Sequence, residues 1–188
     1  ALEGTVNGAG SALEWFGRRA GVDTTAMLKE LPAMLDANLR PPLFLNGVSG
    51  LGSPFWIADF PSRFEGEGSA QAQLVAVLES ILFLIRVNLD GMRAHGLPLE
   101  QLLATGGLAG SDFVCQSLAD LTGLPVTRYE EREATARGLA FLAAGQPQDW
   151  PAPPAQVFQP RLNSALRERF FAWLKLMKQA RPVAPESP

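Results

Sequence analysis

Leu102-Leu103-Ala104-Thr105-Gly106-Gly107-Leu108-Ala109-Gly110-Ser111, then Asp112-Phe113-Val114-Cys115, then Leu124-Pro125-Val126-Thr127-Arg128-Tyr129: this is the stretch that decides the fold. A short apolar run from Leu102 to Thr105 ends at a glycine pair, which predicts a strand running into a tight turn. A helix is predicted from near Ser111 to Gly123, a natural C-cap glycine. Pro125 to Tyr129 reads as a second strand, and Ala134 to Ala144 as the next helix, ended by Gly145. A strand–helix–strand crossover of this length implies two parallel strands with a right-handed connection. The fold class that follows is α/β, with helices on both faces of a sheet.

Upstream of that unit lies the strongest helical signal, Ser69 to His95. Leu74, Leu78, Ile81, Ile85, Leu89 and Met92 recur at helical spacing, while Val75, Leu82, Phe83 and Leu84 make the middle apolar nearly all round. Such a helix needs packing partners on several sides and should be central. Ser11-Ala12-Leu13-Glu14 has capping-box spacing and predicts a helix running to Arg19, before Gly21. A second helix is expected from near Thr25 to the residues before Arg40-Pro41-Pro42, disturbed at Pro32. Leu43 to Asn46 reads as a short strand feeding a glycine-rich loop, Gly47 to Trp56. Downstream, the proline-rich stretch 146–160 is expected to be a surface linker, 161–180 a last amphipathic helix capped by Asn163 or Ser164, and 181–188 a disordered tail. The reading totals six helices against three strands, fewer strands than a covered sheet usually has. The sheet is therefore expected to be incomplete, with further strands upstream of Ala1, and the chain to be a piece of a longer protein.

Composition narrows the function. Of 188 residues, 47% are hydrophobic and 19% charged, which suits a globular fold with a real core. Sixteen basic side chains against 19 acidic ones leave −3, so no basic face for nucleic acid is expected. One cysteine and one histidine cannot make a Cys/His zinc site or an internal disulfide, which is compatible with a reducing, cytoplasmic setting. Purely apolar runs such as Ile81 to Ile85 are far short of the ~20 residues that span a bilayer. No membrane partner is expected.

Two glycine-rich segments are candidates for chemistry. Gly106 to Ser111 lies between a strand's carboxyl end and a helix start, where open α/β sheets bind ligands. One reading is that its glycines let a ligand approach the backbone; the other, commoner for short glycine motifs, is a turn that needs glycine only for its dihedrals. It is neither a Walker A loop nor a Rossmann fingerprint. For Gly47 to Trp56, a loop approaching a substrate or neighbouring domain competes with a loop folded over the core, Phe55 and Trp56 serving as plugs. Asp112, Asp120, Glu131 and Glu133 could supply a carboxylate base, but carboxylates at helix ends and turns are usually capping or solvated groups. Cys115 reads as a buried structural thiol, and His95 as a helix C-terminal residue.

Five separated pieces, taken in order, resemble the C-terminal half of the FGGY carbohydrate kinases. They are Ala1-Leu2-Glu3-Gly4 through Ala9-Gly10 and Glu14-Trp15; Gly50-Leu51-Gly52-Ser53-Pro54-Phe55-Trp56; Val77-Leu78-Glu79-Ser80; Gly106-Gly107 to Ser111 with Leu118-Ala119-Asp120 to Val126; and Glu133-Ala134-Thr135-Ala136-Arg137-Gly138-Leu139-Ala140. The resemblance implies an actin-like, ribonuclease-H-like ATPase domain over 1–145 that shares ATP with a preceding domain. It implies ATP and Mg2+ as cofactors, a sugar or polyol as acceptor, the upstream kinase domain as partner, and a possible homo-oligomer. Gly10 and Glu14 fall beside the nucleotide in that family, where glycerol kinases have glycine and glutamine. Gly107 falls on the glycine of the adenosine turn, flanked by Gly106 and Leu108, and Ser111 falls where glycerol kinases have asparagine. The catalytic aspartate and phosphate-binding hairpin are implied to lie upstream of Ala1, leaving no catalytic residue in this chain. A non-catalytic actin-like nucleotide-binding or interaction module is the alternative.

Overall fold

The computed structural model describes residues 2–34, 39–130 and 133–180. These form two compact units, one comprising the residues up to Leu97 together with those from Asn163 onward, the other Pro98–Leu162. Glu131 and the expected tail lie outside the described residues.

The first unit is built around one helix. In chain order it contains α1 (Gly10–Ala20), α2 (Thr24–Met34), β1 (Leu43–Leu45), β2 (Arg63–Glu65), α3 (Ala70–Ala94) and α6 (Ser164–Ala180). Ser69 caps α3 by accepting the Ala72 N–H at 3.3 Å, and every residue from Leu74 to Leu84 is buried. By length and composition alone α3 could cross a membrane, yet 72% of that apolar window is buried inside the protein. The all-round apolar pattern thus marks a core helix. One flank is covered by α6, whose Phe170 and Trp173 meet Phe83 at 5.4 and 5.5 Å between ring centroids. Trp173 is fully buried and donates its Nε1–H to the Phe44 carbonyl at 2.9 Å, so its only polar atom is satisfied. In the middle of α3, buried Glu79 accepts a forked pair of bonds from Arg169, the Nε one at 2.9 Å. Burial, the strongest influence, holds the Glu79 carboxyl above the ordinary carboxylate range, and the hydrogen bond and charge of Arg169 pull against it.

Several local expectations change. The capping box at Ser11 does not form: α1 begins at Gly10 with Ala9 in the cap position, and the Ser11 hydroxyl instead meets that of Ser49 at 3.3 Å. The helix α2 runs through Pro32 to Met34 and is capped by Asp23, whose Oδ1 accepts from the Thr25 and Ala26 N–H groups. The strand β2 was absent from the sequence reading; three residues around Phe64 pair antiparallel with β1, placing Phe64 and Phe44 4.6 Å apart. Trp56 does not plug the core. It is 72% exposed and left-handed at φ +53°, while Phe60 is buried and lies so close to Gly47 that a Cβ there would sit 1.9 Å from the Phe60 carbonyl oxygen.

The second unit holds β3 (Leu102–Ala104), α4 (Asp112–Thr122), β4 (Val126–Tyr129), α5 (Ala134–Ala143) and β5 (Ala155–Phe158). The strands β3 and β4 are parallel, Leu102 facing Val126, as the crossover requires. The stretch expected to be a linker carries β5, which pairs antiparallel with β4 from Val126↔Phe158 to Tyr129↔Ala155. Its prolines stop at Pro154 before the strand and resume only at Pro160 after it, so the strand itself keeps every N–H the ladder needs. The sheet order is β3-β4-β5, leaving β3 at an edge. The sheets are small, one of two strands and one of three, within a mixed α/β architecture.

Candidate functional site

At the carboxyl end of β3 the chain passes through Thr105 to Gly106, whose φ of +88° and ψ of −178° only glycine adopts without strain. A single 3-10 turn, Gly107–Gly110, follows, and Ser111 leads into α4. The two readings of this glycine pair therefore separate by residue. Gly106 is required by its backbone. Gly107 lies outside the left-handed region, and a Cβ built on it meets nothing within 4 Å. Neither dihedral nor packing against the described residues demands glycine there, so the backbone at Gly107 is open to its surroundings.

The turn forms one wall of a cleft of about 330 Å³, a size suited to a small-molecule ligand. Thr105, Gly106 and Gly110 come from the turn, Arg128 and Tyr129 from the end of β4, and Gln156 from β5. Ser111 takes the N-cap position of α4, yet its hydroxyl makes no capping bond. Leu108 is half-buried and its carbonyl accepts the Ser111 N–H at 3.1 Å.

Arg128 organises the cleft. One guanidinium nitrogen donates to the Ala109 carbonyl at 2.9 Å; the other donates to Asp112 Oδ1 at 2.7 Å and to Gln156 Oε1. Its guanidinium carbon lies 5.1 Å from the centre of the Phe158 ring. The sequence reading missed both Arg128 and Gln156. Alternation along β4 offered a signal, because Arg128 shares a strand face with buried Val126. Gln156 was hidden in the presumed linker. Behind the turn, buried Cys115 donates its S–H to the same Ala109 carbonyl at 3.3 Å. Burial, the strongest influence, pushes its thiol upward, consistent with a structural rather than a reactive role.

Two of the carboxylate candidates, Asp112 and Asp120, are engaged in structure. Asp112 pairs with Arg128, and Asp120 Oδ1 accepts from Gln116 Nε2 at 2.7 Å and from the Arg161 N–H at 2.9 Å. Glu133 is exposed just before α5, and His95 caps the end of α3. Gly106, Gly107, Leu108 and Ser111 thus lie together in one turn, whereas Gly10 and Glu14 belong to the first unit. There Gly10 opens α1 with open space beyond it, and Glu14 is well exposed, 3.8 Å from Arg18. Among the described residues no group of three His, Cys, Asp or Glu side chains could hold a metal ion. A second cleft in the same unit, about 390 Å³, is mainly apolar and lined by Leu103, Phe141 and Trp150, with Arg137 5.3 Å from the Trp150 ring centre.

Comparison with known proteins supplies context for this geometry. The sequence profile of the FGGY family of carbohydrate kinases, C-terminal domain, matches residues 1–146. Glycerol kinase from Synechocystis sp. is 36% identical over 146 residues, covering 75% of this chain and 29% of its own length. Glycerol kinase from Trichodesmium erythraeum is 31% identical over 197 residues, covering 96% of this chain and 38% of its own. Among solved structures, a xylulose kinase from Brucella ovis superposes with a TM-score of 0.75 at 28% identity, over 91% of this chain and 38% of that one. Plasmodium falciparum glycerol kinase with ADP gives 0.77 at 20% identity, over 93% and 37%, a likeness of fold alone. These neighbours have the actin-like ATPase fold, to which the mixed α/β architecture corresponds. The chain spans about three to four tenths of the length of these relatives.

Proposed function

The chain belongs to the FGGY family of carbohydrate kinases as its C-terminal domain, and from that premise we propose that it supplies the adenosine side of an ATP cleft in a longer kinase. The observation that carries this reading is Gly107, a glycine that neither its backbone angles nor its packing requires, in a turn whose Gly106 and Gly110 line a cleft at the carboxyl ends of two parallel strands. Residues 1–145 form the nucleotide-binding domain in this reading. Gly106 shapes the turn, Gly107 lets adenosine reach the backbone, and Leu108 and Ser111 flank it. For Gly10 and Glu14, on α1 of the first unit, the proposed nucleotide role rests on the family resemblance alone, with the Glu14 carboxylate in place of an amide.

The reaction proposed for the complete protein is transfer of the γ-phosphoryl group of ATP to a sugar or polyol hydroxyl. An aspartate outside this chain takes the hydroxyl proton as the oxygen attacks the γ-phosphorus; the bond to the bridging β-phosphate oxygen breaks and ADP leaves. Mg2+ is part of this scheme as the ion that accompanies the ATP phosphates. The remaining kinase domain is the proposed partner, self-association remains part of the proposal, and the cytoplasm, where ATP is available, is the proposed location.

Hydrogen exchange on the full-length protein tests the assignment. Added ATP should slow exchange across 106–111, and protection confined to other segments would count against it. Coupled assays with polyols, ketoses and aldonates should show sugar-dependent ADP release. ATP binding without such release for any acceptor would favour the non-catalytic module.

A further inference from the structure

We propose that Arg128 is a positioning residue for the nucleotide, holding the glycine turn at the height adenosine requires and itself braced by Gln156 of β5. The proposal rests on the adenosine reading of that turn and adds how the turn is held. A 3-10 turn of four residues has little hydrogen bonding of its own, so its position depends on what grips it from outside. Arg128 grips it at the Ala109 carbonyl, the acceptor that also takes the Cys115 thiol proton. The same guanidinium holds Asp112, in the first turn of α4, and Gln156, on the far edge strand. One planar cation thus ties turn, helix and two strands at the rim of the cleft, and its side chain is only 19% exposed. Phe158 beneath it restricts the plane of the guanidinium. A planar five-donor group can satisfy the three acceptors at once; a lysine ammonium could reach fewer of them in this geometry. The brace comes from β5, beyond the 1–146 profile match, so the region after α5 takes part in setting the site.

The test uses the full-length kinase containing this chain, with Arg128→Gln, Arg128→Lys, Gln156→Ala and, as a control on the underlying reading, Gly107→Val. Arg128→Gln should raise KM for ATP at least about tenfold, the scale of losing hydrogen bonds to a charged group, with a smaller change in kcat. The sugar KM and the affinity for inorganic tripolyphosphate, which lacks adenosine, should stay at parental values, a selectivity that mere loosening of the fold would not produce. Arg128→Lys should recover part of the ATP affinity. A folded Arg128→Gln with parental KM for ATP, or with equal losses for ATP and tripolyphosphate, overturns the proposal. Should Arg128→Gln fail to fold, Gln156→Ala decides: a rise of about twofold or more in KM for ATP is expected, and no change overturns the brace. Weakened ATP binding in Gly107→Val but not in Arg128→Gln rejects Arg128 alone. Parental ATP binding in Gly107→Val rejects the adenosine reading beneath both.

Discussion

Two helices of similar apolar character meet opposite fates in this protein. In α3 every side chain from Leu74 to Leu84 is buried, whereas α5, with Leu139, Phe141 and Leu142 among its ten residues, has no buried residue. Leu139 and Leu142 are 68% and 58% exposed. The first unit is held by aromatic packing around α3, β1 and α6. The two clefts of the second unit carry polar clamps, Arg128 in one and, in the other, Arg137 bonded to the Pro151 carbonyl beside Trp150. Apolar composition therefore indicates where burial is possible, while partners decide where it happens. Stability in the first unit should answer to volume, and geometry in the second to hydrogen bonds.

Substitutions at matched positions can break this contrast. The largest effect is expected for Trp173→Ala, which empties a fully buried site and leaves the Phe44 carbonyl without its indole partner. A loss of about 3–5 kcal/mol in chemical denaturation is expected. A loss near 1 kcal/mol would mean that α6 is not the lock it looks to be.

Next comes Arg169→Met, which strands a buried carboxylate. A cost of about 3 kcal/mol is expected at neutral pH, shrinking as the pH is lowered. Burial already holds the Glu79 carboxyl above its unfolded value, and losing Arg169 removes the influences that pull it down. The folded state then binds the proton more tightly than the unfolded state. The penalty is complete above the folded value and is relieved as pH falls through it. A destabilisation that grows in acid would contradict this ordering.

Gly106→Ala should cost about 1–3 kcal/mol, because alanine must enter the backbone region observed at φ +88°. Leu139→Ser and Leu142→Ser on α5 should fall within about 0.5 kcal/mol of the parent in thermal melts. A larger loss from either would show that α5 is covered in solution.

The legible part of the fold was what local rules govern. Ser69, Gly21 and Gly123 marked helix ends through capping and left-handed backbone, and the apolar wrap of α3 announced a core helix. The two missed strands, β2 and β5, are three and four residues long and depend on pairing with distant partners. No local periodicity resolves Arg63–Glu65, and the prolines before Ala155 masked a strand that starts just after them. The glycine turn was visible as a motif. Its Arg128 clamp was not, because the Ala109, Asp112 and Gln156 acceptors lie 19, 16 and 28 residues away and meet only in the folded sheet.

The most direct test of the adenosine assignment is the ATP affinity of Gly107→Val in the full-length kinase, measured beside its melting temperature without nucleotide. Because a Cβ at Gly107 meets open space and its backbone lies outside the left-handed region, the variant should fold with nearly parental stability. Its ATP affinity should fall at least about tenfold, its sugar KM little, as expected when a side chain occupies space reserved for the nucleotide. A folded, equally stable Gly107→Val that binds ATP as tightly as the parent would contradict the account.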